Sequence, residues 1–232
     1  MIVILTGSGI SKESGIATFR DAGGIWQRVS MDDVATPEGF QRNPKLVNDF
    51  HNSLRGLLQE SNIKPNAAHL ALARLERESK EPVLIVTQNV DDLHERAGSQ
   101  KVLHMHGALL EALCLSCRKV SPWQGDLGEE DLCPACGKAA LRPNVVWFGE
   151  MPYHMEEIEE ALAACSTFVS IGTSGNVYPA ANFCVIARQN GAQLVELNLE
   201  PSSMSRVFHE TRHGPATREI PAWVEAVLAR QS

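Results

Sequence analysis

The 232-residue sequence lacks several features that define whole classes of protein. No run of 18 apolar residues is present, so we expect no membrane-spanning helix and no membrane partner. Acidic residues outnumber basic ones, 28 to 21, which gives a formal net charge of −7. Because no basic block or positive face is apparent, we expect no direct nucleic-acid binding. Internal repeats and low-complexity tracts are also absent, and the 44% hydrophobic content is that of an ordinary globular protein.

No secretory signal is recognisable either. The first apolar stretch, residues 2–5, is short and follows no basic residue. We therefore expect a cytoplasmic, reducing environment, in which paired cysteines hold metal more often than they form disulfides.

The six cysteines divide into two groups. Cys165 and Cys184 fall in apolar helical patterns typical of buried, inert thiols. The other four form two C-x2-C pairs, Cys114 with Cys117 and Cys133 with Cys136. Two such pairs supply the four thiolates of a closed tetrahedral zinc site and leave no position for water. We therefore expect one structural zinc ion.

Short apolar strands alternate with amphipathic helices over most of the chain. This pattern predicts an α/β fold with a doubly wound, Rossmann-like parallel sheet. Strands are predicted over residues 2–5, 82–86, 102–105, 167–171 and 193–197. Helices are predicted over residues 66–79, 154–164, 179–189 and 221–229.

Two stretches interrupt this alternation and are interpreted as insertions. Residues 20–65 predict a helical insertion, with a helix only around 44–59, and residues 108–142 predict a small zinc-ribbon insertion. The Rossmann-like domain is then discontinuous and comprises residues 1–19, 66–107 and 143–232.

A glycine-rich turn, Gly7-Ser8-Gly9, follows the first strand and precedes a possible helix. This layout presents backbone N–H groups to a diphosphate. The G-x-G-x-x-G fingerprint is only half met because Lys12 stands at the third glycine, so a plain tight turn remains an alternative. The irregular segment 14–21 that follows favours a ligand-binding loop over a core helix.

Polar residues follow four of the predicted strands: Thr87-Gln88-Asn89-Val90-Asp91, His106-Gly107, Gly172-Thr173-Ser174 and Asn198-Leu199-Glu200. The carboxyl ends of parallel strands meet at one sheet edge, so these groups should converge. His106 is the candidate general base because the pKa of histidine lies near neutrality. His94 and His104 are its rivals, although we expect His104 to lie on the other face of its strand.

These motifs, with Glu13-Ser14-Gly15-Ile16, Thr18-Phe19-Arg20, Phe148-Gly149-Glu150 and the four cysteines, resemble in order those of the sirtuin family. The resemblance covers essentially the whole chain and is strongest to short bacterial protein deacylases. It implies an NAD-dependent enzyme that removes acyl groups, acetyl foremost, from lysine side chains of protein substrates. The products would be free lysine, nicotinamide and O-acyl-ADP-ribose. The resemblance indicates no oligomeric state.

The resemblance also implies roles for individual residues. His106 and Asn89 would be catalytic, with Asn89 and Asp91 at the nicotinamide ribose. Ala17, Phe19 and Val90 would wall the nicotinamide pocket, and Arg20 would act on the ribose–phosphate side. Further NAD contacts would come from Gly7, Ser8, Gly9, Ile10, Ser11, Glu13, Ser14, Thr18, Trp26, Gln88, Gly172, Thr173, Ser174, Asn198, Leu199, Glu200 and, beside the adenine, Ala216. The acylated substrate would lie against His51, Leu54, Val146, Trp147, Phe148, Gly149, Glu150 and Val177.

Two positions depart from the family pattern. Ser8 stands where alanine is usual, a small change. His51 and Leu54 stand where relatives that prefer succinyl- or malonyl-lysine carry tyrosine and arginine, and Arg55 is one residue displaced. Since Leu54 cannot pair with a carboxylate, we expect neutral acyl groups to be preferred over succinyl.

Two other functions remain open. The same NAD site could serve mono-ADP-ribosyl transfer, although His106 favours deacylation. A non-enzymatic zinc-ribbon binding module is the second alternative, and it leaves the polar strand ends unexplained.

Overall fold

The computed structural model describes residues 1–17 and 29–231. Its main element is a six-stranded sheet in the order β3-β2-β1-β7-β8-β9, in which all neighbouring strands are parallel. The six strands are β1 (Ile2–Thr6), β2 (Val83–Thr87), β3 (Val102–His104), β7 (Thr167–Ile171), β8 (Gln193–Asn198) and β9 (Glu210–His213). The predicted Rossmann-like parallel sheet is confirmed.

The sheet is buried on both faces because apolar side chains alternate along its central strands. Ile2 and Ile4 face one core, whereas Val3 and Leu5 face the other. Helices α4 (Ala67–Glu78) and α8 (Ala216–Gln231) cover the first face. Helices α6 (Met155–Ala164) and α7 (Phe183–Gln189) cover the second.

Helix α4 begins where the sequence predicts. The side chain of Asn66 accepts a hydrogen bond from the backbone N–H of Ala68, and the ring of His69 accepts one from the N–H of Asn66. This reciprocal capping fixes the first turn of the helix. The same helix also reaches the glycine-rich turn, because Asn66 Nδ2 donates to the carbonyl oxygen of Ile10 at 2.8 Å.

The two interruptions of the pattern have cores of their own. Helices α1 (Met31–Val34), α2 (Pro37–Arg42) and α3 (Pro44–Leu58) form one with Leu109 and Trp147. A three-stranded antiparallel sheet forms the other, with strands β4 (Gly107–Cys114), β5 (Val120–Pro122) and β6 (Leu141–Val145). This small sheet and the loops between its strands are called the zinc module below. The domain boundaries proposed from the sequence stay predictions.

The structure also shows elements that the sequence pattern did not predict. These are the edge strand β9, the short helix α5 (Leu93–Ala97), helices α1 and α2, and the three strands of the zinc module. The last helix begins at Ala216, five residues before its predicted start, and Pro221 lies inside it. Among the described residues, no helix is both long and apolar enough to cross a membrane.

Candidate active site

The polar strand ends converge at the carboxyl edge of the sheet. Gly9 and Gly172 pack against each other there, and a Cβ on Gly9 would lie 2.7 Å from the Cα of Gly172. Gly172 also has a φ of +60°, which side-chain-bearing residues rarely adopt. The two turns that follow β1 and β7 are therefore in direct contact, and both require glycine.

Asn89 is the most tightly held residue of the site. Its side-chain Nδ2 donates to the carbonyl oxygen of Gly7 and to Oγ of Ser11, each at 3.2 Å. Its backbone N–H donates to Thr87 Oγ1 at 3.0 Å, and its carbonyl oxygen lies 3.2 Å from Nδ1 of His104. Contacts on every polar group but Oδ1 fix the orientation of this amide.

A buried chain of side chains supports Asn89 from below. Thr87 Oγ1 also accepts from Thr6 Oγ1 at 2.9 Å, and Thr6 Oγ1 lies 3.0 Å from Nε2 of His94. Since the Thr6 hydroxyl donates to Thr87, Nε2 of His94 carries a proton and donates to Thr6 Oγ1. Burial lowers the pKa of His94 well below 6.5. His94 is structural in this arrangement, not a rival base.

His106 follows β3 in the turn that leads into β4. Its ring Nδ1 lies 3.0 Å from the carbonyl oxygen of Gln88, so Nδ1 carries the proton and Nε2 keeps its lone pair. Burial lowers the pKa of His106 below 6.5, against the opposing effect of this hydrogen bond. A neutral imidazole with a free Nε2 is the form that a general base requires.

Strand β3 ends at His104 and His106 lies in the turn that follows, so alternation along the strand does not relate their side chains. The expectation that His104 lies on the other face of its strand stays a prediction. The rings of His104 and His106 contact the neighbouring carbonyls of Asn89 and Gln88. The two histidines differ in their partners, because Nε2 of His104 lies 2.8 Å from Oε1 of Glu95.

Asp91 is buried beside Asn89. Its Oδ2 accepts from Ser11 Oγ at 2.9 Å and its Oδ1 from the N–H of Leu93 at 3.1 Å. Burial raises the pKa of Asp91, while these hydrogen bonds and the charge of His104 lower it. Ser11 thus joins the amide of Asn89 to the carboxyl group of Asp91.

A second polar group lies beyond β7 and β8. Gln88 Nε2 donates to Thr173 Oγ1 at 3.1 Å, and Asn198 Nδ2 donates to the carbonyl oxygen of Thr173 at 2.8 Å. Leu199 and Glu200 are exposed next to them, and the carbonyl oxygen of Ser174 accepts from the N–H of Ser203 at 3.1 Å. The ends of β2, β7 and β8 are therefore linked side by side.

Several predicted cofactor residues form hydrogen bonds or contacts within the protein, and their role toward NAD stays a prediction. Both carboxylate oxygens of Glu13 accept from Thr217, one from its N–H at 3.0 Å and the other from Oγ1 at 2.7 Å. Ser14 Oγ accepts from Asn66 Nδ2 at 2.9 Å. Ala216 begins α8 next to Thr217 and packs at the edge of the first core.

The remaining predicted NAD-binding residues lie in or after the turn that follows β1, in the loop after β2, or outside the described ranges. Ala17 is exposed at the end of the first range, and Val90 packs partly against the core of α1–α3. Ser8 and Ile10 belong to the turn after β1, in which Ile10 is fully buried. Thr18, Phe19, Arg20 and Trp26 lie outside the described residues.

The two residues that bear on acyl preference, His51 and Leu54, are buried in the core of α1–α3. His51 Nδ1 lies 2.8 Å from the carbonyl oxygen of Val47, and Trp147 Nε1 donates to His51 Nε2 at 3.4 Å. Burial lowers the pKa of His51 to about 4. At neutral pH this histidine is therefore uncharged, and both ring nitrogens are occupied.

Arg55 does not take the place of the arginine that succinyl-preferring relatives are expected to carry at the position of Leu54. Its Nε donates to the carbonyl oxygen of Leu109 at 2.8 Å, and its Nη1 donates to Asn52 Oδ1 at 2.5 Å. The N–H of Leu109 in turn donates to the carbonyl oxygen of Val90 at 2.9 Å. Arg55 thus ties α3 to β4 and, through β4, to the loop that carries Asn89.

The segment 146–150 leaves β6 along the surface. The N–H of Val146 donates to the carbonyl oxygen of His106 at 2.9 Å, and Trp147 is buried while Phe148 is 54% exposed.

Arg142 holds Glu150 through two hydrogen bonds of 2.7 and 2.8 Å, and its guanidinium carbon lies 3.5 Å from the centre of the Trp147 ring. Gly149 and Val177 are exposed nearby. No sequence motif points to Arg142, and only its buried position reveals its role.

The four cysteines of the two C-x2-C pairs come together in the zinc module. Their sulfur atoms all lie within 4.8 Å of one another, with Cys114 and Cys136 at 3.7 Å and Cys117 and Cys133 at 3.8 Å. A tetrahedron with Zn–S bonds of about 2.3 Å has sulfur–sulfur edges of roughly 3.8 Å. The site therefore fits one zinc ion, and its four thiolates would complete the coordination shell.

Comparison with known proteins agrees with this geometry. Residues 7–179 match the model of the Sir2 family. The chain belongs to the Sir2 family. An NAD-dependent protein deacylase of Pasteurella multocida is 55% identical over 98% of this chain and 97% of its own length. One from Salmonella typhimurium is 53% identical over 98% of this chain and 84% of its own length.

Solved Sir2 structures share the fold. A complex of a Sir2 homologue with NAD superposes with a TM-score of 0.88 at 35% identity, covering 100% of this chain and 90% of the other. A mutant Sir2 homologue bound to ADP-ribose gives a TM-score of 0.89 at 34% identity, covering 99% and 92%. The sirtuin membership expected from the motifs is confirmed.

Proposed function

We propose that this protein is an NAD-dependent protein-lysine deacylase that acts mainly on acetyl-lysine. The observation that carries the proposal is the convergence of Asn89, Asp91 and His106 beside two contacting glycine turns. The Sir2 relatives named NAD-dependent protein deacylases support it, as do the solved complexes with NAD and ADP-ribose.

The donor set of the site suits a dinucleotide. Amide, hydroxyl and carboxyl groups lie at the ends of β1, β2, β7 and β8, where open parallel sheets bind nucleotides. The turns at residues 7–11 and 172–174 would hold the diphosphate and the adenosine half, and Asn89 and Asp91 would orient the nicotinamide ribose. When bound, NAD would supply an activated ribose carbon that exchanges nicotinamide for the acyl oxygen of the substrate.

His106 would then accept a proton at Nε2 from a ribose hydroxyl. Its Nδ1–H bond to the carbonyl oxygen of Gln88 holds the ring in the required tautomer. The lowered pKa keeps the base uncharged near neutrality, where it is ready to take that proton. The acyl group would pass from lysine to ADP-ribose with the consumption of one water molecule, so that acyl-lysine, NAD and water give free lysine, nicotinamide and O-acyl-ADP-ribose.

The substrate would pair its backbone with the segment 148–150. Phe148, which begins this segment, is exposed, as is Val177, and Arg142 holds Glu150 in place. Pairing through the main chain tolerates many sequences, so we expect acylated lysines on varied proteins to be accepted. A solved Sir2 complex contains a deacetylated peptide together with 2′-O-acetyl-ADP-ribose, at 30% identity and a TM-score of 0.78 over 99% of this chain and 93% of that one.

The acyl pocket would be neutral. His51 is uncharged and Leu54 is aliphatic, while Arg55 donates through Nε to Leu109 and through Nη1 to Asn52. Acetyl and other uncharged acyl groups are therefore the proposed substrates, and succinyl groups are disfavoured. We place the reaction in the cytoplasm.

The proposal is tested by NAD-dependent turnover of acetyl-, butyryl- and succinyl-lysine versions of one peptide. We expect His106→Ala to abolish turnover while NAD still binds, because the base is lost and the turns that hold the nucleotide remain. His154→Asn, which changes an exposed histidine at the start of α6, is the control and should react like the wild type.

Two outcomes would contradict the proposal. Wild-type turnover by His106→Ala would remove the assigned base. Label from radioactive NAD fixed stably to protein, without release of deacylated peptide, would favour mono-ADP-ribosyl transfer instead.

A further inference from the structure

His104 contacts the carbonyl oxygen of the catalytic-loop residue Asn89 without reaching into the polar cluster itself. Its Nδ1 lies 3.2 Å from that oxygen, and its Nε2 lies 2.8 Å from Oε1 of Glu95 on α5. The side chain of His104 is only 19% exposed, so its ring is held between these two partners.

The two partners define the protonation of this ring. A backbone carbonyl oxygen and an ionised carboxylate both accept hydrogen bonds and donate none. A neutral imidazole has one N–H and can satisfy only one of them, whereas an imidazolium donates from both nitrogens. His106, two residues later, has a single acceptor at Nδ1 and is satisfied as a neutral ring.

The other titratable groups around His104 agree with a positive charge there. Asp91, in the loop after β2, and Glu95 are acidic, while His94 of α5 is kept neutral by burial. Burial of His104 opposes its charge. The hydrogen bond and charge of Glu95, the Asn89 carbonyl and the charge of Asp91 outweigh that effect and raise the pKa of His104 above 6.5.

We infer that His104 is a positioning residue whose imidazolium, held by Glu95, clamps the carbonyl of Asn89 and supports the adjacent Asp91 for NAD turnover. The inference rests on the proposed function and adds a residue with no direct role in the chemistry. Loss of the ring proton breaks one of the two hydrogen bonds, so the loop that carries Asn89 and Asp91 is then held less firmly.

The two histidines should therefore limit activity at opposite ends of the pH range. His106 must be neutral, so activity falls as pH drops through its lowered pKa. His104 must be charged, so activity falls as pH rises through its raised pKa. A bell-shaped dependence of kcat/KM for NAD on pH follows, and its two limbs belong to different residues.

Three variants test the assignment by kcat/KM for NAD, measured from about pH 5.5 to pH 9.5 with an acetyl-lysine peptide. Glu95→Gln keeps an acceptor for Nε2 but removes the charge, and it should move the alkaline limb to lower pH without moving the acid limb. His104→Leu removes both donors and should lower kcat/KM about tenfold at neutral pH.

His104→Asn restores one amide donor for the Asn89 carbonyl but cannot titrate. It should recover most of the activity that His104→Leu loses and should no longer show the His104 limb. A purely structural role predicts no such rescue and no change in pH dependence. The matched control is Glu157→Gln, which breaks an exposed pair with His154 at 3.8 Å, and it should leave both limbs in place.

Nitrogen-15 NMR of the histidine rings provides a readout that does not depend on turnover. We expect the ring of His104, identified as the signal that is lost in His104→Asn, to be doubly protonated at about pH 6.5 in the wild type. A singly protonated ring, or an alkaline limb that Glu95→Gln leaves in place, would overturn the inference. An inactive wild type with a doubly protonated His104 would instead count against the deacylase function alone.

Discussion

His51 and Leu54 lie one turn apart on α3, both are buried in the core that contains Trp147, and neither carries a charge at neutral pH. The sequence indicated the substitution of the tyrosine and arginine, but only the structure shows why Arg55 cannot compensate. Arg55 is 1% exposed, and its Nε is hydrogen-bonded to Leu109 of β4. A shift of one residue along a helix rotates a side chain by about 100° and so changes what it contacts.

The double variant His51→Tyr/Leu54→Arg should therefore raise succinyl-lysine turnover relative to acetyl-lysine turnover. A guanidinium in the pocket pairs with the succinyl carboxylate, and the ratio of the two kcat/KM values should rise by about tenfold or more. The matched control is His51→Phe/Leu54→Met, which keeps the pocket neutral and should leave the ratio unchanged. A folded double variant with the original ratio would show that these positions do not set acyl preference.

The first turn of helix α8 is stabilised by Glu13, which lies 204 positions before Thr217 in the chain. Both oxygens of Glu13 accept from Thr217, which satisfies an N–H group that the helix itself leaves open. A carboxylate at a helix N-terminus is also favoured by the helix dipole. Glu13 thus joins the turn after β1 to the helix that begins with Ala216, the residue proposed to lie beside the adenine.

Glu13→Ala should lower the free energy of unfolding by about 1 kcal/mol, the usual loss on removing a helix cap. It should also raise KM for NAD more than it lowers kcat, since the proposed adenosine half of the site is loosened. Urea denaturation and steady-state kinetics measure the two effects. Thr217→Val should reproduce part of them and add little in the double variant, because the two residues share one interaction. Additive losses would indicate that the contact is unimportant.

The regular elements were predictable where apolar periodicity was strong. Strands β1, β2, β7 and β8 and helices α4 and α6 lie within a residue or two of their predicted bounds, because burial on both sheet faces demands continuous apolar runs. Strand β9 (Glu210–His213) could not be found this way. Its four residues are polar, since it forms the edge of the sheet.

The polar site was predictable only in part. Parallel strand ends must meet, so the approach of Asn89, Asp91 and His106 follows from the pattern. The partners that set the protonation of His104 and His94 could not be predicted from this pattern, because Glu95 and Thr6 contact these histidines through tertiary packing. No local spacing encodes those contacts.

At the scale of the whole molecule, side-chain hydrogen bonds from α3 connect the helical insertion to the zinc module. The side chain of Asn52 pairs with both the N–H and the C=O of Leu127, at 2.9 and 3.1 Å. Gln59 Nε2 donates to the carbonyl oxygen of Gln124 at 2.8 Å, and Arg55 holds Leu109. The helix that carries His51 and Leu54 therefore depends on loops that the cysteine cluster shapes.

Removal of zinc should consequently loosen α3 as well as the zinc module. We expect one zinc ion per chain by elemental analysis, and chelation should increase hydrogen exchange in 44–58 and 107–145 while the central strands stay protected. Asn52→Ala should reproduce the effect on α3 with zinc retained. Ser53→Ala, which removes only a bond to Asp49 within the same helix, is the control. Unchanged exchange in α3 after metal loss would show that the two insertions are independent.

The position of β1 in the middle of the sheet has a consequence for how the chain folds as it is synthesised. Ile2 pairs with Val83 on one side and with Thr167 on the other, so its partners follow 83 − 2 = 81 and 167 − 2 = 165 residues later. Such non-local pairings are slow to form, since long loops must close first. While the ribosome makes the intervening residues, the apolar segment that becomes β1 has no strand to pair with. We expect chaperones that recognise extended apolar segments to bind β1, mainly before residue 171 has left the ribosomal exit tunnel.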